Sequence, residues 1–128
     1  MWFGIFQNNK KKNVSSWKVY QRKIQQFLSS QNQILLLAEE DNQVIGYLAG
    51  SFYKKDYKHG HIDDLFVSKK YRRNGIASEL IKKFVKILKD MKIKTLCLDV
   101  SPKNKTAYRL YKKLGFGLAH YEMEKIFK

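Results

Sequence analysis

The stretch His61–Leu80, HIDDLFVSKKYRRNGIASEL, constrains this chain more than any other. Ile62, Leu65, Phe66 and Val67 give its first part the β-branched and aromatic content of a strand over His61–Val67. Asp63 and Asp64 interrupt that strand, and simple pleating sends them to opposite faces. From Gly75 onward the period changes. Ile76, Leu80, Phe84 and Leu88 form one i, i+4 ladder, with Ala77, Ile81 and Val85 beside it. Glu79, Lys82, Lys83, Lys86 and Lys89 take the other side, which predicts an amphipathic helix.

Strand and helix are joined by a basic turn, Arg72-Arg73-Asn74-Gly75-Ile76-Ala77. The first turn of a helix leaves about four backbone N–H groups without intrahelical acceptors. With the helix dipole they favour an anion by roughly 0.3–1 kcal/mol at an exposed site. Gly75 allows close backbone approach, and Arg72 and Arg73 add charge suited to phosphate.

The rest of the chain reads as support for this turn. Its 128 residues suit a single domain over 1–128, and 44% hydrophobic content argues against disorder. Apolar runs are far shorter than a membrane span, and no signal-peptide pattern opens the chain. The single cysteine, Cys97, cannot form an internal disulfide and fits a reducing, cytoplasmic setting. The net charge of +15 raises nucleic-acid binding as a reading. Against it, the lysines are spread along the chain and the arginines are only Arg22, Arg72, Arg73 and Arg109.

Residues 1–13 read as a short helical turn or strand and then a loop. Ser15 or Ser16 caps an expected helix whose face carries Trp17, Tyr20, Ile24, Phe27 and Leu28. Ile34–Glu39 and Val44–Tyr53 form an expected hairpin around Asp41-Asn42, with Gly46 and Gly50 marking a bulge or a close approach. After the helix, Thr95–Val100 is an expected strand parallel to its predecessor. Lys105–Leu114 is a second helix, stopped by Gly115, and Phe116–Phe127 is expected to end the chain as one or two strands. His59, His61 and His120 show no ligand spacing and read as surface residues; no metal is expected.

Two blocks of residues resemble one known family. Arg72-x-x-Gly75-x-Ala77 matches the acyl-CoA pyrophosphate loop, R/Q-x-x-G-x-G/A, of the GNAT N-acetyltransferases. Asp99-Val-Ser-Pro-Lys-Asn104-x-x-Ala107-x-x-Leu110-Tyr111-x-x-Leu114-Gly115-Phe116 resembles the strand and helix beside CoA in the same family. The resemblance spans roughly residues 15–127. It implies an α/β fold with a mixed central sheet, antiparallel at first and parallel at the CoA site, flanked by helices.

By the same resemblance the chain is an acyltransferase that uses acetyl-CoA as co-substrate. Leu65, Phe66 and Val67 match the strand that pairs with the pantetheine arm. Arg72, Arg73, Asn74, Gly75, Ile76, Ala77 and Ser78 match the pyrophosphate loop, and Asn104 matches a CoA contact. Tyr111 matches the general acid beside the thioester sulfur. Asp63 and Asp99 stand where relatives carry a base.

The chain also departs from the family pattern. Only some thirteen residues precede the helix of Trp17, so the first strand is expected to be missing or reduced. That leaves Ile34–Glu39 as an edge that a partner subunit, such as a second copy in a homodimer, would cover. Three acceptor readings remain open. The first is a small primary amine such as a polyamine, diamino acid or aminoglycoside. The second is a protein N-terminus or lysine, and the third is a non-catalytic module that binds CoA or nucleic acid.

Overall fold

The computed structural model describes residues 2–7 and 32–128. The expected helix carrying Trp17 lies outside the described residues. Five strands form one sheet in chain order: β1 (Trp2–Gln7), β2 (Gln33–Glu40), β3 (Gln43–Tyr53), β4 (His59–Val67) and β5 (Leu96–Leu98). The first three junctions are antiparallel, and β4–β5 is parallel. Helix α1 (Ile76–Asp90) makes the crossover between β4 and β5, as a parallel junction requires, and helix α2 (Lys105–Lys113) follows β5.

The β2–β3 hairpin turns on two residues, Asp41 and Asn42, with φ of 51° and 63°. Two consecutive left-handed residues match the strand twist, and Asp and Asn tolerate that region better than most. One face of the sheet packs on α1. Ile34, Leu36 and Ala38 of β2, Leu48 and Phe52 of β3, and Ile62 of β4 meet Ile76, Leu80, Ile81, Phe84 and Leu88. The first predicted ladder of the helix is fully buried, and the second flanks it, with Ile81 buried and Ala77 and Val85 half-buried. Helix and sheet come close at Gly50, where a Cβ would lie 2.4 Å from Phe84 Cζ, and at Gly60, where it would lie 2.4 Å from Leu88 Cδ1. Gly50→Ala should therefore cost about 1–3 kcal/mol, as overpacking of a filled core does. Urea unfolding of the variant checks this, and an unchanged midpoint would contradict the packing described.

Several expectations change. The first strand is present: Trp2–Gln7 pairs with Ile34–Glu39, so that strand is interior and the edges are β1 and β5. The strand expected over Thr95–Val100 shortens to Leu96–Leu98. Phe116–Phe127 forms no strand. Leu118, Tyr121, Met123, Ile126 and Phe127 are exposed there. Apolar alternation makes a strand only where a neighbouring strand accepts its hydrogen bonds, and none is paired here. A 3₁₀ turn at Lys69–Tyr71, before the basic loop, had no sequence signal.

Candidate active site

The parallel seam between β4 and β5 is short. It pairs Gly60 with Leu96, His61 with Cys97 and Ile62 with Leu98, and then stops. From Asp63 to Val67, β4 has no strand on its β5 side among the described residues. Leu65, Phe66 and Val67 thus border a gap in the sheet. Part of that edge is already used, since the Arg72 Nε–H donates to the Val67 carbonyl at 3.0 Å. This bond ties the basic loop to the end of β4.

The loop then enters α1 through two left-handed residues, Arg73 at φ 65° and Gly75 at φ 75°. Asn74 steadies it by donating from Nδ2 to the Tyr71 carbonyl at 3.2 Å. The first internal bond of the helix runs from Glu79 N–H to Gly75 O, so the N–H groups of Ile76, Ala77 and Ser78 have no helical acceptor. A Cβ built at Gly75 meets nothing within 4 Å. Open space, unpaired helix donors and two exposed arginines coincide at one point. This arrangement fits a pyrophosphate, although Glu79 in the first turn offsets some of its charge.

The two acids of β4 do not sit as pleating predicts. Ala49 pairs with Asp64 and Gly50 with Ile62, which makes Asp63 an extra residue in β4. Such a bulge sends two successive side chains to one face. Tyr47 and Ser51, four residues apart on β3, hold both acids there. The Tyr47 hydroxyl donates to Asp64 Oδ2 at 2.6 Å, and Ser51 Oγ donates to Asp63 Oδ1 at 3.2 Å. Asp63 and Asp64 therefore share a face, contrary to expectation.

His61 was read as a surface residue; its side chain is 29% exposed, and it also contacts two acids. Its Nδ1 lies 2.9 Å from Asp63 Oδ1, and its Nε2 lies 3.5 Å from Asp99 Oδ2. It joins two of the expected catalytic residues across the β4–β5 seam. The spacing His61-x-Asp63 on one strand, where alternate residues share a face, was the signal available for it. Asp99 is 82% exposed on its side chain and Asp63 35%, so Asp63 is the more sheltered carboxylate.

Tyr111, on α2, is half-buried and stacks edge-on against Phe116 with centroids 5.8 Å apart. Burial, and then the Asp64 carboxylate, push its phenol above the usual value of 10.0. It thus keeps its proton at neutral pH, as a proton donor must. Asn104 caps α2, its Oδ1 accepting from Ala107 N–H at 3.1 Å, which leaves its amide nitrogen as a donor. Cys97 is half-buried on β5. Among the described residues, no group of three or more His, Cys, Asp or Glu could hold a metal, and no helix is long and apolar enough to cross a membrane.

Residues 2–116 match the model of the acetyltransferase (GNAT) family. The chain belongs to the GNAT family. Among characterised relatives it is 33% identical over 92 residues to human N-alpha-acetyltransferase 30, covering 70% of this chain and 25% of that protein. It is 34% identical over 99 residues to an N-alpha-acetyltransferase of Sulfurisphaera tokodaii, covering 66% of this chain and 59% of the relative. This GNAT chain thus spans about a quarter of the human relative's length. The fold agrees with solved structures. Aminoglycoside N-acetyltransferase AAC(6')-Iy in complex with CoA superposes at a TM-score of 0.77 with 16% identity, covering 98% of each chain. The 6'-N-acetyltransferase AAC(6')-IG of Acinetobacter haemolyticus gives 0.71 with 22% identity, covering 84% of this chain and 78% of its own.

Proposed function

We propose that this chain is an acetyl-CoA-dependent N-acetyltransferase that transfers an acetyl group to a primary amine. One observation carries the reading. The sheet opens after Ile62–Leu98, and the anion-ready start of α1 stands beside the opening. Arg72, Arg73, Asn74 and the backbone of Gly75 through Ser78 hold the pyrophosphate. Leu65, Phe66 and Val67 offer β4 backbone to the pantetheine arm, and Asn104 adds a donor. The bound acetyl-CoA supplies an activated acyl thioester. A solved structure of the same fold is in complex with CoA, which supports acetyl-CoA as the co-substrate.

The chain's own residues manage two protons. An alkyl ammonium with pKa ~10.4 is almost entirely protonated at pH 7, so one proton must leave before nitrogen can attack. Asp63, less exposed than Asp99 and in contact with Ser51 and His61, takes it; Asp99 is the second candidate. As the C–N bond forms and the C–S bond breaks, Tyr111 gives its phenolic proton to the departing sulfur and regains one, through solvent, from the second proton the nitrogen loses. The acceptor we favour is a small cationic amine, a polyamine, diamino acid or aminoglycoside. The bulge supports this choice by putting Asp63 and Asp64 on one face, where they attract positive charge. Identity to N-alpha-acetyltransferases supports a second reading, transfer to a polypeptide α-amine.

Incubation with acetyl-CoA and a panel of spermidine, lysine, kanamycin and short unblocked peptides tests the reading, with thiol release as readout. Release with a small amine is expected. Release with peptides alone would shift the acceptor to the second reading, and release with none would overturn the activity.

A further inference from the structure

We infer that His61 is a positioning residue for the proposed base, holding the Asp63 carboxylate by one oxygen so that the other faces the acceptor amine. The inference rests on the acetyltransferase reading and on Asp63 as base.

The geometry is specific. Ser51 Oγ and His61 Nδ1 both approach Asp63 Oδ1, at 3.2 and 2.9 Å. Asp63 Oδ2 has no hydrogen-bond partner among the described residues. A carboxylate held by two donors on one oxygen cannot rotate about its last torsion without losing both. Its other oxygen keeps an unshared lone pair in a fixed direction. Because Asp63 is the extra residue of a bulge, the strand ladder fixes its side chain less firmly than it would a regular residue. The clamp supplies that missing orientation. For Nδ1 to donate it must carry a proton, and the short contact to a carboxylate favours that arrangement. Asp99, just past the end of β5, lies 3.5 Å from the ring's other nitrogen, Nε2. The acceptor proton moves from nitrogen to Asp63 Oδ2 while His61 keeps its own proton, so no further reactant is required.

Three substitutions separate this role from mere packing. Asparagine can place an amide N–H near where Nδ1 stands, whereas glutamine reaches toward Nε2. His61→Ala and His61→Gln should each lower kcat roughly tenfold or more, with KM for acetyl-CoA nearly unchanged, while His61→Asn should restore most of the rate. Imidazole nitrogen chemical shifts of the parent should show Nδ1 protonated. An active parent whose His61→Ala variant keeps full kcat would overturn the inference alone. So would a His61→Asn variant as slow as His61→Ala, or an unprotonated Nδ1. A folded parent with no turnover on any amine would instead overturn the acetyltransferase reading, and this inference with it.

Discussion

Replacing Tyr111 by phenylalanine should lower kcat about 10²–10³-fold while leaving acetyl-CoA affinity and thermal stability nearly unchanged. The ring keeps its edge-on contact with Phe116, so packing is preserved. Only the hydroxyl is lost, and a positioned proton donor contributes about 10²–10⁴-fold. In the parent, burial and Asp64 raise the phenol above 10.0, so its protonated form persists through neutral and mildly alkaline pH. The alkaline fall in rate should therefore lie above pH 10.0 and disappear in the variant. The same shift bears on folding. A tyrosine raised in the fold stabilises it fully below the unfolded value, and that contribution is lost as pH rises through the folded value. Steady-state kinetics across pH checks the prediction; a variant with the parent's kcat would remove Tyr111 from the chemistry.

The second large effect belongs to Gly75. Its φ of 75° favours glycine, so most side chains would add strain that confuses a binding test. Asparagine and aspartate both tolerate the left-handed region and differ mainly in charge. A Cβ at Gly75 points into open space, so neither should disturb the neighbouring side chains. Gly75→Asp places a negative charge where the pyrophosphate is proposed to sit. Its affinity should fall roughly 10–100-fold below that of Gly75→Asn, or about 1.4–2.8 kcal/mol.

The sequence made some features readable because their causes are local. The inward ladders of α1, the turn at Asp41-Asn42, the stop at Gly115 and the parallel order of β4 and β5 follow from periodicity, turn chemistry and the crossover rule. The basic strand-to-helix turn itself was readable because the apolar period changes at Gly75, where the left-handed backbone suits glycine. What escaped notice depends on pairing. The bulge at Asp63 comes from the register between β3 and β4, which no single segment encodes, and it reversed the expected placement of the two acids. His61 was missed for the same reason, since its partner Asp99 is brought alongside only when β5 pairs with β4. Residues 1–13 read equally as a short helical turn or a strand, and pairing with Ile34–Glu39 is what makes Trp2–Gln7 a strand. The strands expected over Phe116–Phe127 failed in the opposite sense, since no neighbouring strand pairs with that segment.

Calorimetric titration of acetyl-CoA into the parent, Gly75→Asn and Gly75→Asp tests the central claim most directly. Saturable one-to-one binding in the parent, largely kept by the asparagine variant and lost in the aspartate variant, is the predicted result. A folded parent that takes up no acetyl-CoA, or an aspartate variant that binds as tightly as the asparagine one, would contradict the placement of the pyrophosphate at the start of α1.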